Sequence, residues 1–408
     1  MKVAILAPYP PYPPRGGGQQ RMYQIIRQLA SRHMLHLITF TPDDRATVAL
    51  EALQPFCRIT TVPAPSRTRL QRLGTTLLSA RPDMLWRGHA PLFAETLQLV
   101  LQTERYDVVQ AESIEMTQYA PHAAAGGPLW VYDAWNVEYT IQQRAFLMDL
   151  HRPKWWLRAG YSLLQWFKLR RYEQRLHRSF AGTFVVSQGD QTLLQQLDPQ
   201  LATTIVANGV DTGYFCPQPA TVPVPTILFT GTLDYRPNVD AIQWFAATVW
   251  PHILRQSPSA RLRIVGRNPG IEVHELASQA GIEIWGDVVD VRPFFNAASV
   301  YVVPMRIGGG VRLKVLEAFA QDVPVVATAL GVEGIAGLQQ GVQAVVANES
   351  APFADAVVQL LRNKNQATTL TRAARALVLQ RYDWSALIPR MEDSWMEWQA
   401  KRGSAKIS

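Results

Sequence analysis

Three glycines followed by Arg312, Lys314 and Glu317 stand in the stretch "MRIGGGVRLKVLEAFAQDVPVVAT", residues 305–328. Charges inside an otherwise apolar segment cost free energy unless a partner offsets them. A glycine turn lets backbone N–H groups come close to an oxyanion, and a helix that follows directs its positive end at the same point. Arg312 and Lys314 add charge complementary to phosphate. Lys314 and Glu317 are i,i+3 neighbours on that helix, so one can hold phosphate while the other accepts hydrogen bonds from a ribose. The plainer alternative is a glycine turn with a Lys–Glu surface pair, and the stretch alone leaves both open.

Other side chains make weaker cases. The eight histidines show no HExxH or comparable ligand spacing, so each reads as structural and no metal is expected. Among them, His89 follows Arg87 and Gly88 in a loop and is the one with a claim on an acceptor. Asp133 ends the apolar run "LWVYDAW", a place that suits a catalytic carboxylate or a structural one equally. Glu112 and Glu115 fall just after the run "DVVQA", where a solvated turn is the competing reading. Cys57 and Cys216 lie far apart without metal or disulfide spacing and read as reduced thiols.

The elements that must position these residues follow from the apolar pattern. Strands are expected at "VAILAP", "MLHLITF", "DVVQAE", "LWVYDAW" and "FAGTFVVS", separated by helical segments such as "GGGQQRMYQIIRQLA" and "FAETLQLVLQT". Buried apolar strands alternating with helices indicate a parallel sheet covered on both faces. The pattern breaks at a proline-rich stretch, where a linker is placed at 209–225. It then begins again with "TILFTG", "LRIVG", "IEIWGDV", "SVYVVPM", "VPVVAT" and "AVVA". The expectation is α/β: two doubly wound Rossmann-like domains facing a cleft, residues 1–208 and 226–383, with a C-terminal helical segment over 384–408. Ligands of such sheets bind beyond the strand C-termini, where "IGGGVRLKVLEAF" falls, and that position favours the ligand-site reading.

The chain has 408 residues and a formal net charge of +8. Of that excess, residues 1–210 hold 22 Lys/Arg against 15 Asp/Glu, and residues 151–178 alone hold eight basic side chains and one acid. Such a patch attracts nucleic acid, anionic lipid or phosphorylated substrates. Trp155, Trp156, Trp166 and Phe167 among these charges suit a helix lying in an anionic membrane interface. The alternative is an interior helix with a solvated basic face. No nucleic-acid-binding module is recognisable, so nucleic acid is not an expected partner. The apolar run at the start is too short for a signal peptide core, and no run is long enough to span a bilayer. Together with the reduced cysteines, the expectation is a cytoplasmic chain, with peripheral attachment at the inner face of the membrane if 151–178 is interfacial.

Taken together, "GGGVRLKVLEAFAQDVPVVAT", "FTGTLDYRPNVDAIQWF", "IVGRNP", "GDVVDVRPFFNAASVYVVPMRIGGG", "TFVVSQGDQTLL" and "IVANGVDTGYFCP" resemble the retaining nucleotide-sugar glycosyltransferases of GT-B fold, group 1 (family 4). "DVVQAESIEMTQYA" and "YDAWNVEYTIQQRA" are similar to the subgroup of exopolysaccharide sugar transferases. The resemblance implies a hexosyltransferase that takes a nucleotide diphosphate sugar as donor substrate, needs no cofactor or metal, and serves a glycan, lipid-linked or small-molecule acceptor bound by the first domain. It further implies that the C-terminal helix crosses back to that domain. A nucleotide-sugar epimerase and a non-catalytic sugar-nucleotide binder share the fold and remain as alternatives.

Residue by residue, the resemblance gives Glu317 the ribose. The partner glutamate of the family's pair would fall at Gly309, so sugar contacts are expected from the backbone of Gly308, Gly309 and Gly310, with Val311 beside them. Gly231 and Arg236 of the motif that opens the second domain, and Gly266 and Arg267 of "IVGRNP", are implied on the donor. Thr232 replaces the family's arginine on the diphosphate, and Arg312 and Lys314 are inferred to take over its neutralisation as catalytic cations. Gly16, Gly17 and Gly18 match the first-domain glycine loop beside the diphosphate. Trp135 stands where family members often carry histidine, next to Asp133 as a catalytic candidate and Glu112, Asn136 and Glu138 as acceptor contacts.

Overall fold

The computed structural model describes residues 1–14, 16–121, 127–150, 155–219, 224–308 and 311–404. The chain forms two units, one of Met1–Ala207 together with Leu387–Ser408 and one of Asn208–Ala386.

The first unit is built on β1 (Lys2–Ala7), β2 (Met34–Thr41), β3 (Arg58–Pro63), β4 (Val108–Glu112), β5 (Leu129–Ala134), β6 (Gly182–Val185) and β7 (Thr203–Ile205), in the order β3-β2-β1-β4-β5-β6-β7. Every pairing is parallel. Residues 3–7 and all of β4 and β5 are buried, which is why they read as continuous apolar runs. β3 alternates exposed and half-buried positions around Val62 at the sheet edge, and its "RITTVP" lacks the apolar run by which its neighbours were recognised. Helices cover the sheet, among them Gly17–Leu29, whose Met22, Ile25, Ile26 and Leu29 are buried.

The C-terminal helix Trp384–Ser404 closes this unit from far along the chain. Its Trp395 is wholly buried and Trp398 nearly so. The Trp398 ring lies 5.2 Å from that of Phe184 and occupies the space where any side chain at Gly182 would project. Glu392 pairs with Arg32 at 3.1 Å and with His33 at 2.5 Å, and Ser394 donates to Thr204 Oγ1 at 2.9 Å.

The second unit carries β8 (Thr226–Thr232), β9 (Arg261–Arg267), β10 (Ile282–Gly286), β11 (Val300–Val303), β12 (Val325–Ala327) and β13 (Val345–Val346), in the order β10-β9-β8-β11-β12-β13 and again all parallel. In each sheet the strand order reverses once, at β1/β4 and at β8/β11. Successive connections leave opposite faces there and open a crevice at the strand C-termini. Among the described residues no helix is long and apolar enough to cross a membrane.

Candidate active site

The glycine turn leaves β11 at the reversal of the second sheet. Gly308 has φ +107°, and a Cβ there would lie 2.9 Å from Arg312 Nη2, so both the left-handed backbone and the guanidinium packed on it require glycine. Arg312 is the N-cap of the helix Leu313–Ala320, whose Val315, Leu316, Ala318, Phe319 and Ala320 are buried. That apolar face fixes the helix and leaves Lys314 and Glu317 together on its other side. Gly309 and Gly310 lie outside the described residues. Val311 is half-buried, with the Cβ position of Gly334 3.2 Å from its Cγ2.

Lys314 reaches across the sheet reversal. Its Nζ donates to Thr230 O at 3.1 Å on β8 and to Asn238 Oδ1 at 3.0 Å, and it lies 4.5 Å from the centroid of the Phe229 ring. Two of its three N–H bonds are thereby engaged by uncharged acceptors. Burial lowers Lys314 to about 7, the Arg312 charge acts in the same direction, and Glu317 opposes both. Glu317 is pushed up to about 7 by burial, against the attraction of Lys314. Burial also lowers Arg312, while the nearby Glu333 carboxylate opposes it.

Asn238 had no place in the sequence reading. It sits in the first turn of the helix Arg236–Trp244, where an asparagine reads as ordinary helix-start chemistry. Its Nδ2 donates to Thr232 O at 2.9 Å while its Oδ1 accepts from Lys314. A Cβ at Gly231 would lie 2.7 Å from that Nδ2, and one at Gly266 would lie 1.7 Å from Gly231 O. Gly231 therefore makes room for the asparagine, and Gly266 lets β9 close on β8. Arg236 begins its helix and Arg267 ends β9, both exposed at the same strand ends. Arg306, another cation of the turn, forks onto Asp240 at 2.7 and 3.1 Å.

In the first unit the reversal gathers a different set. Gly16 caps the helix Gly17–Leu29, its N–H donating to Gln19 Oε1 at 3.1 Å. Nothing lies within 4 Å of a Cβ at Gly17, whereas one at Gly18 would meet Tyr9 Oη at 2.5 Å and the Trp135 ring at 2.6 Å. Asp133, next to last in β5, is fully buried, and Arg21, also buried, forks onto both of its oxygens at 2.7 Å. Arg21 Nη1 further donates to Val206 O at 2.9 Å and Ala207 O at 3.2 Å.

Glu112 is directly paired with Asp133 across β4 and β5 and is wholly buried. Burial, and then the Asp133 charge, raise its carboxyl well above the ordinary range. Gln110 Nε2 donates to Glu112 Oε1 at 2.7 Å and Trp135 Nε1 to Oε2 at 3.1 Å. Asn136 is exposed, and Glu138 is buried and held up at about 7 by burial. His89 contacts Arg81 at 3.3 Å and Gln118 at 3.2 Å. Glu115 accepts from Ser113 Oγ at 3.1 Å.

Residues 16–209 match the family model described as a glycosyl transferase 4-like domain, and residues 224–363 match the model of the glycosyl transferases group 1. A protein described as an uncharacterized 44.6 kDa protein in the cps region of Klebsiella pneumoniae is 26% identical over 167 residues, 38% of this chain and 42% of that protein. A GDP-mannose-dependent alpha-(1-6)-phosphatidylinositol monomannoside mannosyltransferase of Mycobacterium tuberculosis is 29% identical over 240 residues, 52% of this chain and 60% of the relative. The chain thus spans about half the length of the curated relatives it matches. Among solved structures, sucrose-phosphate synthase of Thermosynechococcus elongatus superposes with a TM-score of 0.68 at 17% identity, over 98% of this chain and 100% of the other. The Anabaena protein Alr3699/HepE in complex with UDP gives 0.64 at 15% identity, over 97% and 100%. At these identities the likeness is one of fold.

Proposed function

This chain belongs to the group 1 glycosyl transferases and has the GT-B fold, and on that premise we propose that it moves a sugar from a nucleotide diphosphate donor to a hydroxyl of a glycan, lipid-linked or small-molecule acceptor, with retention at the anomeric carbon. The observation that carries the reading is Lys314. A lysine brought to about 7 by burial, held by Thr230 O and Asn238 at the sheet reversal, regains its full charge when an anion arrives. The donor diphosphate supplies that anion and takes the remaining N–H.

Arg312, packed on Gly308 at the N-terminus of Leu313–Ala320, adds a second cation, and the first-turn N–H groups add the helix dipole. Negative charge grows on the diphosphate as the glycosidic bond to it breaks, so fixed positive groups stabilise the transition state more than the bound donor. Glu317 accepts the ribose hydroxyls. Retention follows if the acceptor hydroxyl attacks the face from which the diphosphate departs, which requires no carboxylate nucleophile. Asp133 and Glu112 then have positioning roles: Asp133 holds Arg21, and Glu112 orients the Trp135 indole beside Gly18. Asn136 and Glu138 are the polar groups left for the acceptor.

A panel of nucleotide sugars assayed with and without acceptors tests the activity. Turnover only with an acceptor supports transfer, conversion of donor alone supports an epimerase, and binding without turnover supports a non-catalytic binder. For the site, Arg312→Ala and Lys314→Ala should lower turnover more than nucleotide affinity. Glu317→Gln should mainly weaken nucleotide binding, by about ten- to a hundredfold for a charged hydrogen bond of ~1.5–3 kcal/mol. Three unchanged variants in calorimetry and turnover would remove the donor site from this turn.

A further inference from the structure

Beyond the helix Arg69–Leu78, whose Leu70, Leu73 and Leu77 are exposed, the first unit carries a cation that no carboxylate answers. Arg81 is half-buried. Its Nη2 donates to Gln118 Oε1 at 2.7 Å, its Nη1 lies 3.3 Å from His89 Nδ1, and its guanidinium carbon is 5.2 Å from the centroid of the Trp86 ring. Other half-buried arginines have acids: Arg67 meets Asp83 at 3.0 Å, Arg263 meets Glu283 at 3.0 Å and Arg292 meets Asp290 at 2.7 Å. Burial lowers Arg81, and no carboxylate among the described residues opposes it. Asp83, the one acid of residues 67–89, is committed to Arg67 and Tyr161 at 3.0 Å each, with Arg72 and Arg87 3.6 Å away.

The cluster is fixed from behind. Ser79 Oγ accepts from Arg81 N at 3.0 Å and from Trp86 Nε1 at 3.2 Å. Gln118 Nε2 donates to Leu85 O at 2.8 Å and to Glu115 O at 2.6 Å, which turns its Oε1 to Arg81 and His89. Tyr119 Oη donates to Gly88 O and accepts from Ala90 N at 3.0 Å, so the loop on either side of His89 is tied down. A guanidinium held by neutral acceptors keeps the rest of its planar fork for a carboxylate or phosphate. A half-buried charge without a counter-charge costs free energy, and an arriving anion offsets that cost.

This cluster adjoins the reversal of the first sheet. A Cβ at Gly88 would lie 3.3 Å from Glu115 Cβ, and Glu115 and Arg87 both act on the carboxyl of Glu138, one of the acceptor candidates. Glu115 belongs to the short helix Ser113–Met116 that follows β4, and Ser113 enters it at φ +69°. Such strain at a non-glycine gathers where ligands are held. We propose that Arg81 and His89 form an anion subsite for the acceptor, so that the molecule presented to the first unit carries a phosphate or carboxylate which the guanidinium fork takes. That the anion belongs to an acceptor rests on the transfer reading above; that an anion binds Arg81 does not.

The test follows the ring signals of His89 by NMR in the full chain carrying isotope-labelled histidine, with His89→Asn identifying them. The probes are inorganic phosphate, glucose 1-phosphate, glucuronate and neutral glucose. The signals should move with the anions and not with glucose, and the tighter of glucose 1-phosphate and glucuronate names the group. Affinity should fall at least about tenfold in Arg81→Gln, as for a lost charged hydrogen bond, and persist in Lys314→Ala, which removes a donor-site cation. Thermal melts check the variants; if Arg81→Gln is not folded, the wild-type contrast of glucuronate with glucose decides. No movement with any anion, an equal response to glucose, an unchanged response in folded Arg81→Gln, or a response lost in Lys314→Ala would each overturn the site. Turnover is read separately: acidic acceptors should be preferred through KM, and Arg81→Gln should abolish the preference, whereas preference for neutral acceptors overturns the acceptor assignment. No turnover with any acceptor while His89 still responds counts against the transfer reading alone.

Discussion

Lys314 and Glu317 lie on one turn of one helix, both brought to about 7 and from opposite directions. As pH rises through that value the free lysine gives up its proton, and a bound diphosphate must then pay for restoring it. Nucleoside diphosphate affinity should therefore fall by up to about tenfold per pH unit above 7 until the bound-state value is reached. Below 7 Glu317 is neutral and accepts less well, so affinity should fall there too. Calorimetric titration across this range should show a maximum near 7. Lys314→Arg should remove the alkaline limb, and Glu317→Gln should leave only the nucleotide's own ionisation on the acid side. Asn238→Asp, which sets a carboxylate 3.0 Å from Nζ, should move the alkaline limb upward; an unmoved limb would mean that another group titrates. The charged residues of this site were legible because they interrupt an apolar run after glycines. Asn238 was not, since its value lies in touching Lys314 76 residues away, and nothing in "DYRPNVDA" records that distance. Arg21 was missed for the same reason: its fork onto Asp133 spans 112 positions.

Two glycines and one cap fail in different ways. Gly308→Ala forces a side chain into a left-handed backbone at a cost of roughly 1–2 kcal/mol, but the atom it meets is the far end of the flexible Arg312 side chain. The second unit should stay folded with a modestly lower melting temperature while nucleotide affinity and turnover drop. Gly266→Ala meets the backbone oxygen of Gly231 at 1.7 Å, so β8 and β9 must separate, and the unit should melt far earlier or fail to fold. In the first unit, Glu173 caps the helix Glu138–Leu150 by accepting from Glu138 N at 3.0 Å and Tyr139 N at 2.9 Å. Burial nevertheless pushes its carboxyl from 4.5 to about 8. A folded value above the unfolded one means the native state binds the extra proton, so the contribution is complete below about 4.5 and is lost as pH rises through about 8. Melting temperatures of wild type should decline across that window more steeply than those of Glu173→Gln. The buried strands and the amphipathic Gly17–Leu29 announce themselves by period. The helix Arg69–Leu78 has an equally clear period, but period says only that one face is apolar, and only the structure tells which way that face points.

For the whole molecule, the two rounds of strand and helix were visible because parallel strands buried on both faces leave no polar alternation. The return of Trp384–Ser404 to the first unit came from family likeness, as no local pattern encodes a partner so far away. That helix supplies Trp395 and Trp398 to the first core, and Trp398→Ala should cost ~3–5 kcal/mol, read as destabilisation of the first unit with the second unchanged. A chain ended at residue 386 should leave Gly182 and Phe184 uncovered and make the first unit protease-sensitive, while nucleotide binding to the second persists. The discontinuity also has a consequence in time. On the ribosome, residues 208–386 emerge between the two parts of the first unit, and at about 5–20 residues per second they take on the order of 10–40 s. The half that starts first is the half that finishes last, so for that interval it waits with an open wall while its successor folds, and a chaperone that shields nascent chains would meet it there.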